Sequence, residues 1–201
     1  DDVRGRRPRA RDGAGAMRSL TLKKRGDGVA VLLFDTPKRP VNVLSGEMLE
    51  EAGPLMKEIE EDDGIVAVVL ASGKPDSFIA GANLDDVVAM TAKEAEAISR
   101  GAHGWLGRVE ASRKPFVAAI HGAALGGGLE VALACRYRLA TDHPKTVLAL
   151  PEVMLGVLPA AGGTQRLPRL IGLQRALPML LTGRRVRAAV AYRQGLVDAL
   201  T

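Results

Sequence analysis

Apolar residues along this chain follow two rhythms. The short, β-branched runs VAVLLF (29–34) and IVAVVL (65–70) are bounded by Gly and Asp and predict strands. Between them, SGEMLEEAGPLMKEIEEDD sets Met48, Leu55, Met56 and Ile59 at helical spacing, with Gly53-Pro54 expected to kink or split the helix. Thr91 followed by Glu94 has capping-box spacing and opens a helix expected to run to about Val109. FVAAI (116–120) predicts a third strand, GLEVALACR (128–136) a helix and TVLAL (146–150) a short strand. From Gly163 to Gln194 the pattern predicts several short helices broken by Pro168, Gly172, Pro178 and Gly183. Strands alternating with helices imply an α/β architecture.

Composition narrows the function classes. A chain of 201 residues, 47% of them hydrophobic, is long enough for one domain with a substantial core. Residues 1–16 are rich in Arg, Gly and Ala without apolar periodicity, and read as a disordered basic tail ahead of a domain over 17–201. That tail holds five Arg against three Asp, so only +3 of the net +5 belongs to the rest. With three Phe, two Tyr and one Trp there is no aromatic platform beside a basic stripe, which argues against nucleic acid as a partner. A mild positive balance also suits a phosphate-bearing small ligand. No apolar run approaches the roughly 20 residues of a membrane span, so the expectation is a soluble, cytoplasmic protein. Cys135, the single cysteine, lies in an apolar stretch and reads as a buried small hydrophobe. Three scattered histidines without HExxH or CxxC make no zinc site, so no metal is expected.

Three loops are candidates for chemistry. HGAALGGGLE (121–130) packs four glycines and an acid where a strand becomes a helix. It lacks both the GK[ST] of a phosphate-binding loop and the GxGxxG of a dinucleotide fingerprint. Bare N–H groups at such a helix start suit a developing oxyanion, although a simple tight turn explains the same glycines. KPDSFIAGANLDD (74–86) carries Ala80-Gly81-Ala82, whose small side chains let a ligand approach the backbone; an ordinary strand-to-helix connection is the competing reading. In LPEVMLGVLPAAGGTQRL (150–167), Glu152 stands between a proline and an apolar run, where burial would raise its pKa and suit it to act as an acid. Glu130, in the first turn of its helix, is expected to be held ionised by the helix dipole, as a base needs. Against this pairing stands the reading in which Glu130 caps its helix and Glu152 faces solvent.

FIAGANL, KPFVAAIHGAALGGGLEVALACRYRLAT, LPEVMLGVLPAAGGTQRLPRLIG and LTGRRVRAAVAYRQGLVD, in that order, resemble the crotonase (enoyl-CoA hydratase/isomerase) superfamily from about Val29 to Leu200. The stretch TDHPKTVLALPEV is similar to the hydratase part of multifunctional fatty-acid oxidation α-subunits. The resemblance implies a crotonase-like (ClpP/crotonase) α/β spiral of repeated ββα units, with the C-terminal helical part truncated at Thr201. It implies hydration of trans-2-enoyl-CoA in β-oxidation, with 3-enoyl-CoA isomerisation or a non-catalytic assembly module as alternatives. The N–H groups of Ala82 and Gly127 would form an oxyanion hole; Ala80, Gly81 and Gly126 would line the substrate. Glu130 would hold and deprotonate water, and Glu152 would deliver a proton to C2. Coenzyme A would enter only as part of the substrate, with no other cofactor and no NAD site in this chain. A homo-oligomer, or a thiolase-containing complex of the full-length protein, is the implied assembly. Two positions depart from the family pattern: Asn83 stands where Asp is usual, and Ala160 where Gly is usual.

Overall fold

After an antiparallel hairpin within one sheet, the chain lays strands down in pairs and sends one member of each pair to each of two sheets. A computed structural model describes residues 18–201, so the tail expected over 1–16 lies outside the described residues. The strands are β1 (Leu20–Lys24), β2 (Val29–Phe34), β3 (Ala67–Ser72), β4 (Ser77–Ile79), β5 (Phe116–Ile120), β6 (Ala123–Leu125), β7 (Tyr137–Ala140), β8 (Val147–Ala149), β9 (Val186–Arg187) and β10 (Ala199–Leu200). The helices are α1 (Gly46–Glu61), α2 (Leu84–Ala89), α3 (Ala92–Ala111), α4 (Gly127–Ala134), α5 (Gly163–Ile171), α6 (Leu173–Thr182) and α7 (Ala188–Arg193), with a 3-10 turn at Glu152–Leu155.

The pairs β3/β4, β5/β6 and β7/β8 each contribute their first strand to a sheet ordered β1-β2-β3-β5-β7-β10 and their second to a sheet ordered β4-β6-β8-β9. Within the second sheet β4, β6 and β8 are parallel, and β9 closes the edge antiparallel. Parallel neighbours require a crossover, supplied by α2 and α3 between β4 and β5 and by α4 between β6 and β7. The consequence for function is directional. The C-terminal ends of three adjacent strands, β4, β6 and β8, open on one edge, and each leads directly into a loop singled out from the sequence.

Packing follows the sequence periods. Ala30, Leu32 and Phe34 alternate inward along β2, and Phe116, Ala118 and Ile120 do so along β5. α4 is buried from Gly128 to Ala134, which explains a helix with almost no polar residue except Glu130. Cys135, at its end, is buried as expected, and its thiol is pushed up to about 12 by that burial.

The proline signals behave differently from expectation. α1 runs unbroken through Gly53-Pro54, held by the buried stripe Met48, Ala52, Met56 and Ile59. Pro54 and Glu50 are both exposed, so the carbonyl that proline leaves without a helical donor belongs to the helix face turned to solvent. α5 and α6 likewise pass through Pro168 and Pro178 and end instead at Gly172 and Gly183, both at positive φ. Strands β1, β4, β6, β7, β9 and β10 were not predicted; all are five residues or fewer.

One residue ties the two sheets together near the functional edge. Asn42 is wholly buried; its amide nitrogen donates to the Phe34 carbonyl, the Ser72 hydroxyl and the Phe78 carbonyl, and its Oδ1 accepts from the Thr36 N–H. Its own carbonyl accepts from the Ala80 N–H. Asn42→Ala is therefore expected to leave several buried backbone groups unpaired and to cost about 2 kcal/mol or more, read as a lower midpoint in urea unfolding with unchanged slope.

Candidate active site

The Ala80-Gly81-Ala82-Asn83 loop leaves the end of β4, and Gly126 leaves the end of β6. Gly81 adopts φ 109° and Gly126 φ 54°, conformations that side chains resist. The two loops touch: a Cβ placed on Gly81 would lie 3.1 Å from the Leu125 carbonyl oxygen and 3.9 Å from the Gly126 Cα. Each of these glycines is followed by an amide with a free hydrogen. Ala82 forms a parallel bridge with Leu44 in which Leu44 N–H donates to the Gly81 carbonyl and Asn83 N–H to the Leu44 carbonyl, so the bridge does not use the Ala82 N–H. Gly127 is the first residue of α4, where an N–H has no partner within the helix. Among the described residues neither amide meets an acceptor. Ala80, by contrast, spends its N–H on the Asn42 carbonyl.

Both acids face this pair of glycine loops. Glu130 lies three residues beyond Gly127, on the same helical face, and a Cβ on Gly127 would lie 3.9 Å from its Oε2. Glu152 leaves the end of β8 through Leu150 and Pro151, and a Cβ on Gly126 would lie 3.1 Å from its Oε1. The reading in which Glu130 caps its helix and Glu152 points to solvent does not describe this geometry.

Their environments differ. Glu152 is half-buried, its Oε2 has no hydrogen-bond partner, and burial, aided by the charge of Glu130, pushes its carboxyl up to about 7 against the pull of its own backbone N–H. Glu130 is 3% exposed, and its Oε1 accepts from Ala161 N–H (2.8 Å) and Gly163 N–H (2.7 Å). The sequence suggested that the dipole of α4 would hold Glu130 ionised. Burial instead raises its pKa above the ordinary value, opposed by the Gly163 and Ala161 amides and by the charges of His103 and Arg166. The groups that favour its charged form come from α3 and from the start of α5, not from its own helix.

Beside Gly127 lies a wholly apolar cavity of about 30 Å³, walled by Leu44, Met48, Trp105, Leu106, Val131 and Ala161. Among the described residues no three His, Cys, Asp or Glu side chains converge as metal ligands, and no helix is long and apolar enough to cross a membrane.

A small-residue loop pair with two free amides and two unlike carboxyls belongs to an architecture with known relatives. The model of the enoyl-CoA hydratase/isomerase family matches residues 24–201. The chain belongs to that family. It is 49% identical over 181 residues to the fatty acid oxidation complex subunit alpha of Idiomarina loihiensis, a match covering 90% of this chain and 26% of that relative. The chain thus spans about a quarter of that relative's length. Among solved structures, an enoyl-CoA hydratase of Geobacillus kaustophilus superposes with a TM-score of 0.87 at 34% identity, covering 92% of this chain and 69% of that one. An enoyl-CoA hydratase of Bacillus anthracis gives 0.86 at 35% identity, covering 92% and 70%. The ββα spiral described above is therefore the crotonase fold.

Within this enoyl-CoA hydratase/isomerase chain the two departures from the family pattern are accommodated. Ala160 needs no glycine conformation, since Lys38 is the only non-glycine at positive φ among the described residues, and its carbonyl accepts from the Ser99 hydroxyl. Asn83 starts α2 without a side-chain cap, and its Oδ1 accepts from Arg39 instead. The amides of Ala161 and Gly163 were missed as partners of Glu130, because nothing in AAGGTQRL says which backbone hydrogens point at an acid 31 and 33 residues earlier.

Proposed function

We propose that this chain hydrates trans-2-enoyl-CoA thioesters, and that the observation supporting this most is the convergence of two free amides and two unlike carboxyls on one glycine-walled site. The Ala82 and Gly127 N–H groups receive the thioester oxygen, drawing electron density from C3. Water held by Glu130 gives up a proton to that carboxylate as its oxygen bonds to C3. The double bond's electron pair moves through C2 into the carbonyl, and the enolate so formed returns when C2 takes a proton from Glu152. One proton is accepted and one delivered, so the step is neither oxidation nor reduction and needs no electron carrier; coenzyme A takes part only as the carrier of the acyl group. Each oxyanion donor of this kind typically accounts for about 3 to 4 kcal/mol of transition-state stabilisation.

The test is the absorbance loss of crotonyl-CoA on hydration, assayed beside a 3-enoyl-CoA. Hydration of the 2-enoyl substrate supports the proposal; conversion of the 3-enoyl substrate alone transfers the site to isomerisation. The pH profile carries a signature. Glu152 must be protonated to act, so kcat/KM for hydration is expected to fall tenfold per pH unit once pH rises past about 7, where that carboxyl titrates. A place in β-oxidation, in the cytoplasm and in a larger assembly is part of the same proposal. The relative's name as a complex subunit supports it, as does an exposed apolar face at Met154, Leu155, Leu158 and Leu181.

A further inference from the structure

We infer that Arg166 is a positioning residue for Glu130, acting through the Ala161 peptide and anchored by Glu110. The inference rests on the reading of Glu130 as the group that holds water, and it concerns what holds Glu130.

Both donors to Glu130 belong to the turn Ala161-Gly162-Gly163 that opens α5. Arg166, one turn into that helix, folds back over it. Its Nη1 donates to the Ala161 carbonyl at 2.8 Å, while its Nε and Nη2 lie 3.0 and 2.9 Å from Glu110 Oε2 on α3. The guanidinium is largely enclosed, with 12% of its side chain exposed. Residue 161 is consequently gripped on both sides, its N–H by the Glu130 carboxylate and its carbonyl by the Arg166 guanidinium. Gly162 fits this reading. It sits at φ 106°, and a Cβ there would lie 2.3 Å from Arg166 Nη1, so the glycine provides the passage through which the guanidinium reaches the turn.

The planar fork of Arg is what spans Glu110 and the Ala161 carbonyl at once; a lysine ammonium carries charge to the same place without that geometry. Two consequences follow from losing the fork. The turn is freed at Ala161, and a displacement of about 1 Å at a group that orients a reactant costs roughly 100-fold in rate. A positive charge near Glu130 is also lost. The charged groups that act on Glu130 are His103 from α3, Arg166 from α5 and Glu152 from the 3-10 turn; among them the two basic residues favour its ionised form.

The experiment compares Arg166→Gln, Arg166→Lys, Glu110→Gln and Glu130→Gln in the full-length protein, reading kcat, KM and the pH dependence of kcat/KM for crotonyl-CoA hydration, with thermal midpoints alongside. Arg166→Gln is expected to lower kcat by about 10- to 100-fold with KM within about threefold, and to move the acid limb of the profile, set by Glu130, to higher pH. Arg166→Lys is expected to restore the acid limb more than kcat. Unchanged kcat and acid limb in a folded Arg166→Gln protein, with Glu130→Gln inactive, overturns the inference and leaves the hydratase reading standing. Full turnover by Glu130→Gln overturns both the inference and the reading of Glu130 as the group that holds water. Should Arg166→Gln fail to fold, Glu110→Gln decides: its acid limb moves the same way if the anchor matters, and an unmoved limb with unchanged kcat overturns the inference.

Discussion

Glu152→Gln is expected to reduce crotonyl-CoA hydration by about 10²- to 10⁴-fold while CoA-thioester binding persists, the range for removing one positioned proton donor. The amide is close in size to the acid, so the wall beside Gly126 keeps its shape and only the transferable proton disappears. Glu130→Gln is expected to lose a similar factor for a different reason. Its Oε1 accepts two backbone hydrogens, and an amide that turns its oxygen to them keeps the turn intact but has no basic atom left for water. The two variants should also differ in pH dependence: Glu152→Gln should lose the limb near pH 7, and Glu130→Gln should keep it on its residual rate. Steady-state kinetics with thioester binding measured separately checks both. Undiminished turnover in the two variants sinks the acid and base roles proposed for these glutamates.

Gly128→Ala is expected to cost about 3 kcal/mol or more of stability, although intrinsic preference argues the other way. Alanine is better than glycine inside a helix by about 1 kcal/mol, and Gly128 has ordinary helical backbone. Against that, the added Cβ would sit 2.2 Å from the Ile79 carbonyl oxygen and 2.8 Å from the Ile79 carbonyl carbon. These are backbone atoms at the end of a buried strand, unable to swing aside as a flexible side chain would, so overpacking dominates. The only relief is for α4 to lift from β4, which separates the Ala82 and Gly127 amides. A lower urea midpoint accompanied by loss of hydration in the fraction that remains folded is the expected result. A midpoint within about 0.5 kcal/mol of the parent would show that α4 has room to move at this contact.

Each contributing loop carries its own local mark in the sequence, Ala-Gly-Ala after an apolar tripeptide, consecutive glycines where a strand gives way to a helix, and an acid behind a proline, whereas their convergence was implied by the family resemblance alone. The long periodic elements were equally readable, down to the Thr91–Glu94 capping box, whose reciprocal bonds are present. What stayed hidden has no periodicity to betray it. Strands of two to five residues such as β7, β9 and β10 exist because neighbouring strands offer a ladder, not because their residues demand it. Asn42 sits in an irregular loop, and its role is to satisfy backbone groups of three other segments. The enclosure of Glu130 was hidden for a similar reason: its helix position was visible in the sequence, while the turn from residues 161–163 that covers the start of its helix and raises its pKa by burial was not.

The polarity of β4, β6 and β8 also separates what evolution can alter freely from what it cannot. The segment Thr141–Thr146 that joins β7 to β8 enters the sheet at the opposite end from Glu152, about 10 Å of strand away. Length added among its exposed residues Asp142–Lys145 changes the underside of the molecule and leaves the position of the acid untouched. Lengthening the three residues between Ala149 and Val153 would have no such shelter.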